Sequence, residues 1–146
     1  MPAKTGKLVD HAPSGRIATD SRPVSQSRSP RIFLLSPANL GGVRGGLVLA
    51  ESGQSALSQR LRNGGVPLGE VFSFISGLYF RGKLAYARTF ANAPTGIPGI
   101  VLITASAGLV SPDKLVTLEE LRELTMGRLD ASEPRYRLFL ERDARF

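Results

Sequence analysis

Val71-Phe72-Ser73-Phe74-Ile75-Ser76, followed by Gly77, is the stretch whose reading decides the fold. Aromatic and β-branched residues favour a pleated, half-buried strand, and the run breaks off at Ser76-Gly77, where the chain can turn. The same pattern stands on either side of it: residues 31–36 run into 37–46, and residues 99–106 run into 107–113. Three apolar runs that each end in serine and glycine predict parallel strands with their C-terminal ends on one sheet edge, and that edge is where open α/β sheets bind ligands.

The segments between these runs have helical character. Leu78, Phe80, Leu84, Ala85, Ala87, Phe90 and Ala91 recur at near-helical spacing with Arg81, Lys83 and Arg88 on the complementary face, which predicts an amphipathic helix. Ser52 is a candidate N-cap for a helix through Leu61 that ends at Asn63-Gly64-Gly65. Residues 32–35, Ile-Phe-Leu-Leu, lie between Pro30 and Pro37 and read as a strand buried on both faces. Residues 47–50 fit a strand or a helix start equally well, because periodicity does not separate the two at that length.

Further on, Ile100-Val101-Leu102-Ile103-Thr104 is the clearest buried strand. Thr117 with Glu120 three residues later forms a capping box, and Pro134 opens a last helix. Strands alternating with helices imply βαβ units, so the expectation is a Rossmann-like three-layer α/β domain over residues 31–146 with a mainly parallel sheet. A βαβ series would place another strand after the last helix, so the domain is expected to be the N-terminal part of a longer fold.

Composition bounds the function. The chain has 146 residues, 42% of them hydrophobic, which suits one domain. No apolar stretch approaches the ~18 residues of a membrane span, and the first thirty residues lack a secretory apolar core. A cytoplasmic protein with no membrane partner is expected. The chain has no cysteine and one histidine, His11, so disulfides and thiolate sites are excluded and neither a metal nor a cofactor is expected. The formal charge is +7. Residues 1–30 hold five basic and two acidic residues (+3), and residues 31–146 hold fourteen basic and ten acidic (+4). The first thirty residues are rich in Ser, Pro, Lys and Arg without an apolar period, which predicts a disordered basic tail.

Each of the three chain reversals offers site residues. Residues 36–46 contain Ser36, four glycines and Arg44, a composition that can wrap an anion with backbone N–H groups and a guanidinium; a plain flexible connection has the same composition. At the strand-to-helix passage, Ser76, Arg81 and Lys83 could hold phosphate near a helix N-terminus, with Tyr79 as a stacking face. Against that, Tyr79 also fits a core position, and the two cations fit a wet helix face. In residues 104–113, Ser106 lies among small residues that permit close approach by a ligand. Asp113 could accept a hydrogen bond from a base or ribose, or simply close a Pro-Asp turn. Ser106 and Asp113 are the candidate catalytic pair, and Ser36, Arg44, Ser76, Tyr79, Arg81 and Lys83 the candidate ligand-binding set. None of the three loops supplies the second carboxylate or histidine that acid–base catalysis wants.

Ser36-Pro37-Ala38 after the first strand, Ser76-Gly77-Leu78-Tyr79, and Gly108-Leu109-Val110-Ser111-Pro112-Asp113 together resemble, distantly, the YaaA-like peroxide-stress proteins and related bacterial α/β domains. The order differs, since the Ser-Gly-Leu-Tyr and Gly-Leu-x-x-Pro-Asp portions adjoin in that family and are separated here. A looser likeness is to domains of archaeosine-type tRNA-modification proteins. What these likenesses imply is a bacterial protein with a nucleic-acid or nucleobase connection. The resulting expectation is a domain that binds a nucleotide-like anion or nucleic acid at the sheet edge, with action on a nucleoside or base glycosidic bond as an extension. The alternatives are a non-catalytic nucleic-acid-binding or interaction protein, in which the Arg/Lys-bearing helix matters more than the loops, and an inactive incomplete reading frame.

Overall fold

The structure, a computed structural model, describes residues 29–145; the predicted basic tail lies, but for its last two residues, outside them. In chain order the elements are β1 (Phe33–Leu35), α1 (Val43–Leu49), α2 (Ala56–Asn63), β2 (Val66–Pro67), α3 (Leu68–Ser76), α4 (Leu78–Phe90), β3 (Ile100–Thr104), β4 (Gly108–Val110), β5 (Leu115–Val116), α5 (Leu118–Thr125) and α6 (Pro134–Asp143).

These elements do not build a mainly parallel Rossmann-like sheet. The strands form a three-stranded sheet in the order β1-β3-β4 and a two-stranded sheet of β2 and β5. Only β1 and β3 run parallel, while β3–β4 and β2–β5 are antiparallel. The overturning segment is 71–76, which belongs to the helix α3 and not to a strand. Its buried residues Leu68, Val71, Phe72 and Ile75 follow the i, i+3, i+4, i+7 spacing of one helix face, so burial of that face prevails over the strand preference of aromatic residues. Ser76 therefore ends a helix, and the idea that Ser36, Ser76 and Ser106 all end parallel strands fails with it.

Two other segments differ from expectation. The glycine-rich stretch is not one open loop, because Gly45 and Gly46 lie inside α1. A Cβ at Gly45 would overlap the Leu40 carbonyl, so glycine is what lets this short helix sit against the preceding turn. α2 starts later than predicted, with Ser55 rather than Ser52 as N-cap, its Oγ accepting the Ser58 N–H at 3.1 Å. Gly64 and Gly65 do end that helix, Gly65 at φ 91°.

Residues 33–35 form β1 as predicted, but that strand is not buried on both faces, because Ile32 and Leu34 are exposed on the side away from the core; other local signals hold. β3 covers the predicted residues 100–104, and α4 covers the predicted amphipathic helix. Both halves of the Thr117/Glu120 capping box are present, and Pro134 stands at the first turn of α6. The core packs Phe72 of α3 edge-on against Phe80 of α4, ring centroids 5.5 Å apart. Around this pair lie Leu61, Leu68, Leu102 and Leu121, all fully buried. Leu35, Leu102 and Val110 stand in register across the three strands and face this core.

The opposite sheet face is covered in part by α6. Asp143 accepts the Leu109 N–H at 2.8 Å from the outer side of β4, and a Cβ at Gly108 would overlap its carboxylate. Among the described residues, no helix is long and apolar enough to cross a membrane.

Candidate functional site

β1 and β3 are parallel neighbours, so the chain leaves both strands at the same edge. A cleft of about 460 Å³ lies there, lined by Pro37, Asn39 and Gly41 after β1, Thr104 and Ala105 at the end of β3, and Thr125 of α5. Of the three strand ends expected to share an edge, only those of β1 and β3 do so, because residues 71–76 are helical. Among the described residues no charged side chain lines this cleft, and Asn39 spends its Oδ1 on the Gly41 N–H at 3.0 Å.

Beside this edge, one group of predicted ligand-binding residues comes together. Lys83, in the second turn of α4, donates from Nζ to Ser36 Oγ at 2.9 Å, immediately before the cleft lining begins. The same ammonium lies 4.7 Å from the centroid of the Tyr79 ring, close enough for a cation–π attraction. Tyr79 and Lys83 are four residues apart and share a helix face. Tyr79 is 73% exposed, so it belongs to the surface and not to the core. Arg44 reaches from α1 to the α3–α4 junction, where its Nη1 donates to the Phe74 carbonyl at 3.5 Å. Cations at a helix C-terminus complement its partial negative charge. Gly77 makes that junction, with φ 58° between the end of α3 and the start of α4, and Ser76 precedes it.

The remaining candidates lie elsewhere. Arg81, two residues from Tyr79 and Lys83, faces a separate groove that it shares with Glu70, Arg88 and Asp113. Asp113 is paired there with Arg88 at 2.8 Å, and its carboxylate is largely exposed. Ser106 sits in the β3–β4 turn and donates its hydroxyl proton to the Glu123 carbonyl at 2.6 Å. That turn is closed by Thr104, whose Oγ1 donates to the Gly108 carbonyl at 2.9 Å and accepts the Ala107 N–H at 3.1 Å. The predicted loop 104–113 is thus largely a hairpin, and Ser106 and Asp113 line different grooves.

Electrostatically the α4 region is one-sided. From residue 71 to residue 112 the chain contains Arg81, Lys83 and Arg88 and no carboxylate. Asp113 offsets Arg88, and Glu70 lines the groove that Arg81 faces, which leaves Lys83 and the nearby Arg44 as the cations beside Tyr79. Sequence reasoning grouped Tyr79 and Lys83 in one segment but did not join Ser36 to them, because residues 36 and 83 meet only when β1 packs on α4. No family model, curated protein or solved structure matches the chain.

Proposed function

We propose that the protein is a non-catalytic binding module for single-stranded nucleic acid, with its contact surface at the start of α4. The observation that carries this is the exposed Tyr79 ring held under Lys83, at the start of a helix that contains no carboxylate and has Arg44 at its N-terminal junction. Single strands are bound by basic surfaces that track phosphates and by aromatic faces on which bases stack. Tyr79 supplies the stacking face, and Lys83 and Arg44 supply the phosphate contacts. Lys83 is preorganised by Ser36, which lowers the ordering cost of binding. The likeness to YaaA-like proteins favours the same class of partner.

A nucleotide-sized anion in the cleft at the ends of β1 and β3 is less well supported, since that cleft has no cationic lining among the described residues. Glycosidic chemistry at Ser106 and Asp113 has less support still, because one is bonded to a backbone carbonyl and the other to Arg88. The test is fluorescence anisotropy of the full chain with labelled single-stranded RNA and DNA across a salt series. Tyr79→Ala should lose about 1–3 kcal/mol of affinity and keep the salt slope. Lys83→Ala should weaken binding and reduce the slope by about 0.7 for each lost phosphate contact. Salt-independent binding, or wild-type affinity in both variants, would refute the proposal.

A further inference from the structure

The cleft where the chain leaves β1 and β3 has a chemistry that the surface around Tyr79 does not use. Its volume of about 460 Å³ falls in the range of small-molecule sites, about 300–1,000 Å³. Phe72 and Leu124, both members of the core, line it, and among the described residues no charged side chain joins them. An ion entering it sheds water without meeting an opposite charge, whereas an uncharged ligand bears no such cost.

Two polar side chains of the lining are left to recognise such a ligand. Asn39 accepts the Gly41 N–H on Oδ1 at 3.0 Å, which fixes the orientation of its amide. Its Nδ2, with two protons to donate, has no partner among the described residues. Thr125 donates its hydroxyl proton to the Arg122 carbonyl at 2.8 Å, so Oγ1 keeps only acceptor lone pairs. Thr104 Oγ1 is already spent on the Gly108 carbonyl and the Ala107 N–H. One oriented donor and one acceptor beside apolar side chains complement a planar heterocycle whose edge carries both an acceptor and a donor, as the edge of a nucleobase does.

The charges around the cleft match those around a base in a strand. Residues 37–41 line it. Ser36, immediately before them, takes two hydrogen bonds from Lys83 Nζ, which leaves the ammonium one further proton to donate. Arg44 stands three residues beyond Gly41, a span of at most about 11 Å. A cation thus stands at either end of an uncharged, cleft-lining segment, as a phosphate stands on either side of an uncharged base. We propose that this cleft takes one unstacked nucleobase, Asn39 Nδ2 donating to an acceptor on its edge and Thr125 Oγ1 accepting from a donor. Only the source of the base depends on the strand-binding reading: a strand held at Tyr79 and Lys83 supplies it, and a free nucleoside is the other source. Stacking on Tyr79 tolerates any base, whereas hydrogen bonds to a base edge discriminate among bases, so base preference arises in the cleft.

The experiment follows the side-chain amide signals of Asn39 and the backbone amides of Gly41, Ala105 and Gly127 by NMR in the full chain. The probes are adenosine, guanosine, cytidine and uridine up to about 2 mM, enough to detect a millimolar Kd, then inorganic phosphate, then a single-stranded oligonucleotide. At least one nucleoside is expected to shift these signals saturably, and phosphate to leave them in place. Asn39→Asp keeps an acceptor for the Gly41 N–H and removes the donor, so it should keep the wild-type fold and bind that nucleoside roughly five- to a hundredfold more weakly, the effect of leaving a polar partner unpaired. Thr125→Val should weaken it roughly three- to tenfold. Cleft signals that no nucleoside moves, cleft signals moved by phosphate instead, or a nucleoside affinity unchanged in both variants would overturn the proposal. Oligonucleotide binding that depends on salt and on Tyr79 but leaves the cleft signals in place overturns the cleft alone. Cleft signals that respond to a nucleoside while the oligonucleotide does not bind uphold the cleft and overturn the strand-binding reading.

Discussion

Adjacent glycines in α1 should respond to alanine with opposite signs. A methyl group added at Gly46 would meet nothing within 4 Å, whereas one at Gly45 would overlap the Leu40 carbonyl oxygen and lie 2.5 and 2.6 Å from the carbonyl carbon and Cα of the same residue. All three obstacles are backbone, so no side-chain rotation relieves them. Gly46→Ala removes backbone entropy from the unfolded chain and raises helix propensity, a gain of about 0.5–1 kcal/mol. Gly45→Ala must displace the turn leading into α1, at a cost of about 2–3 kcal/mol, the range of a core overpacked without room to relax. The two variants should therefore differ by roughly 3 kcal/mol, with midpoints about 6–12 °C apart for a domain of this size. Urea denaturation followed by circular dichroism measures the difference, provided the m-values agree. Equal shifts of the same sign, or a neutral Gly45→Ala, would mean that residues 43–49 form an open loop and that α1 does not pack against Leu40.

Two further perturbations test the supports of the fold. Asp143→Ala removes the acceptor of the Leu109 N–H and the Arg142 guanidinium and should cost about 1.5–3 kcal/mol. The Asp143 carboxyl is held below the ordinary carboxylate range, first by the Arg142 hydrogen bond and, against the opposing effect of burial, by the Leu109 N–H. With a depressed folded-state pKa, its contribution is complete above the unfolded value of about 3.9 and is lost as pH falls through the folded value. Acid titration of stability should show that loss in the wild type and a shallower one in the variant; parallel curves would contradict it. Thr117→Ala breaks the capping box of α5 and should cost about 0.5–2 kcal/mol, read from the thermal midpoint, with an unchanged midpoint counting against the cap.

The candidate site was legible in parts. Lys83 and Tyr79 share a helix whose spacing is plain in the sequence, so their proximity follows from helical geometry. Their junction with Ser36 does not, because it depends on β1 lying along α4. Arg81, two positions from both, faces away toward Asp113, which corrects the reading that set Arg81 and Lys83 on one face, since helix residues two apart do not face each other. The part played by Asp143 was hidden in the charged run Glu141-Arg142-Asp143, where nothing local distinguishes a carboxylate that meets β4 from one that meets water.

The sequence by itself determined the features whose partners lie within a turn or two of each other. These are the Thr117 capping box, the span of α4, the strand at 100–104 and the helix end at Gly64-Gly65. Tertiary structure decided whether residues 71–76 pair in a sheet or coil into α3, and hence whether the sheet is mainly parallel. A short apolar run fits either state. What selects the helix is the joint burial of Leu68, Val71, Phe72 and Ile75 in the core that α3 shares with α4, a packing gain that exists only once the distant elements have met.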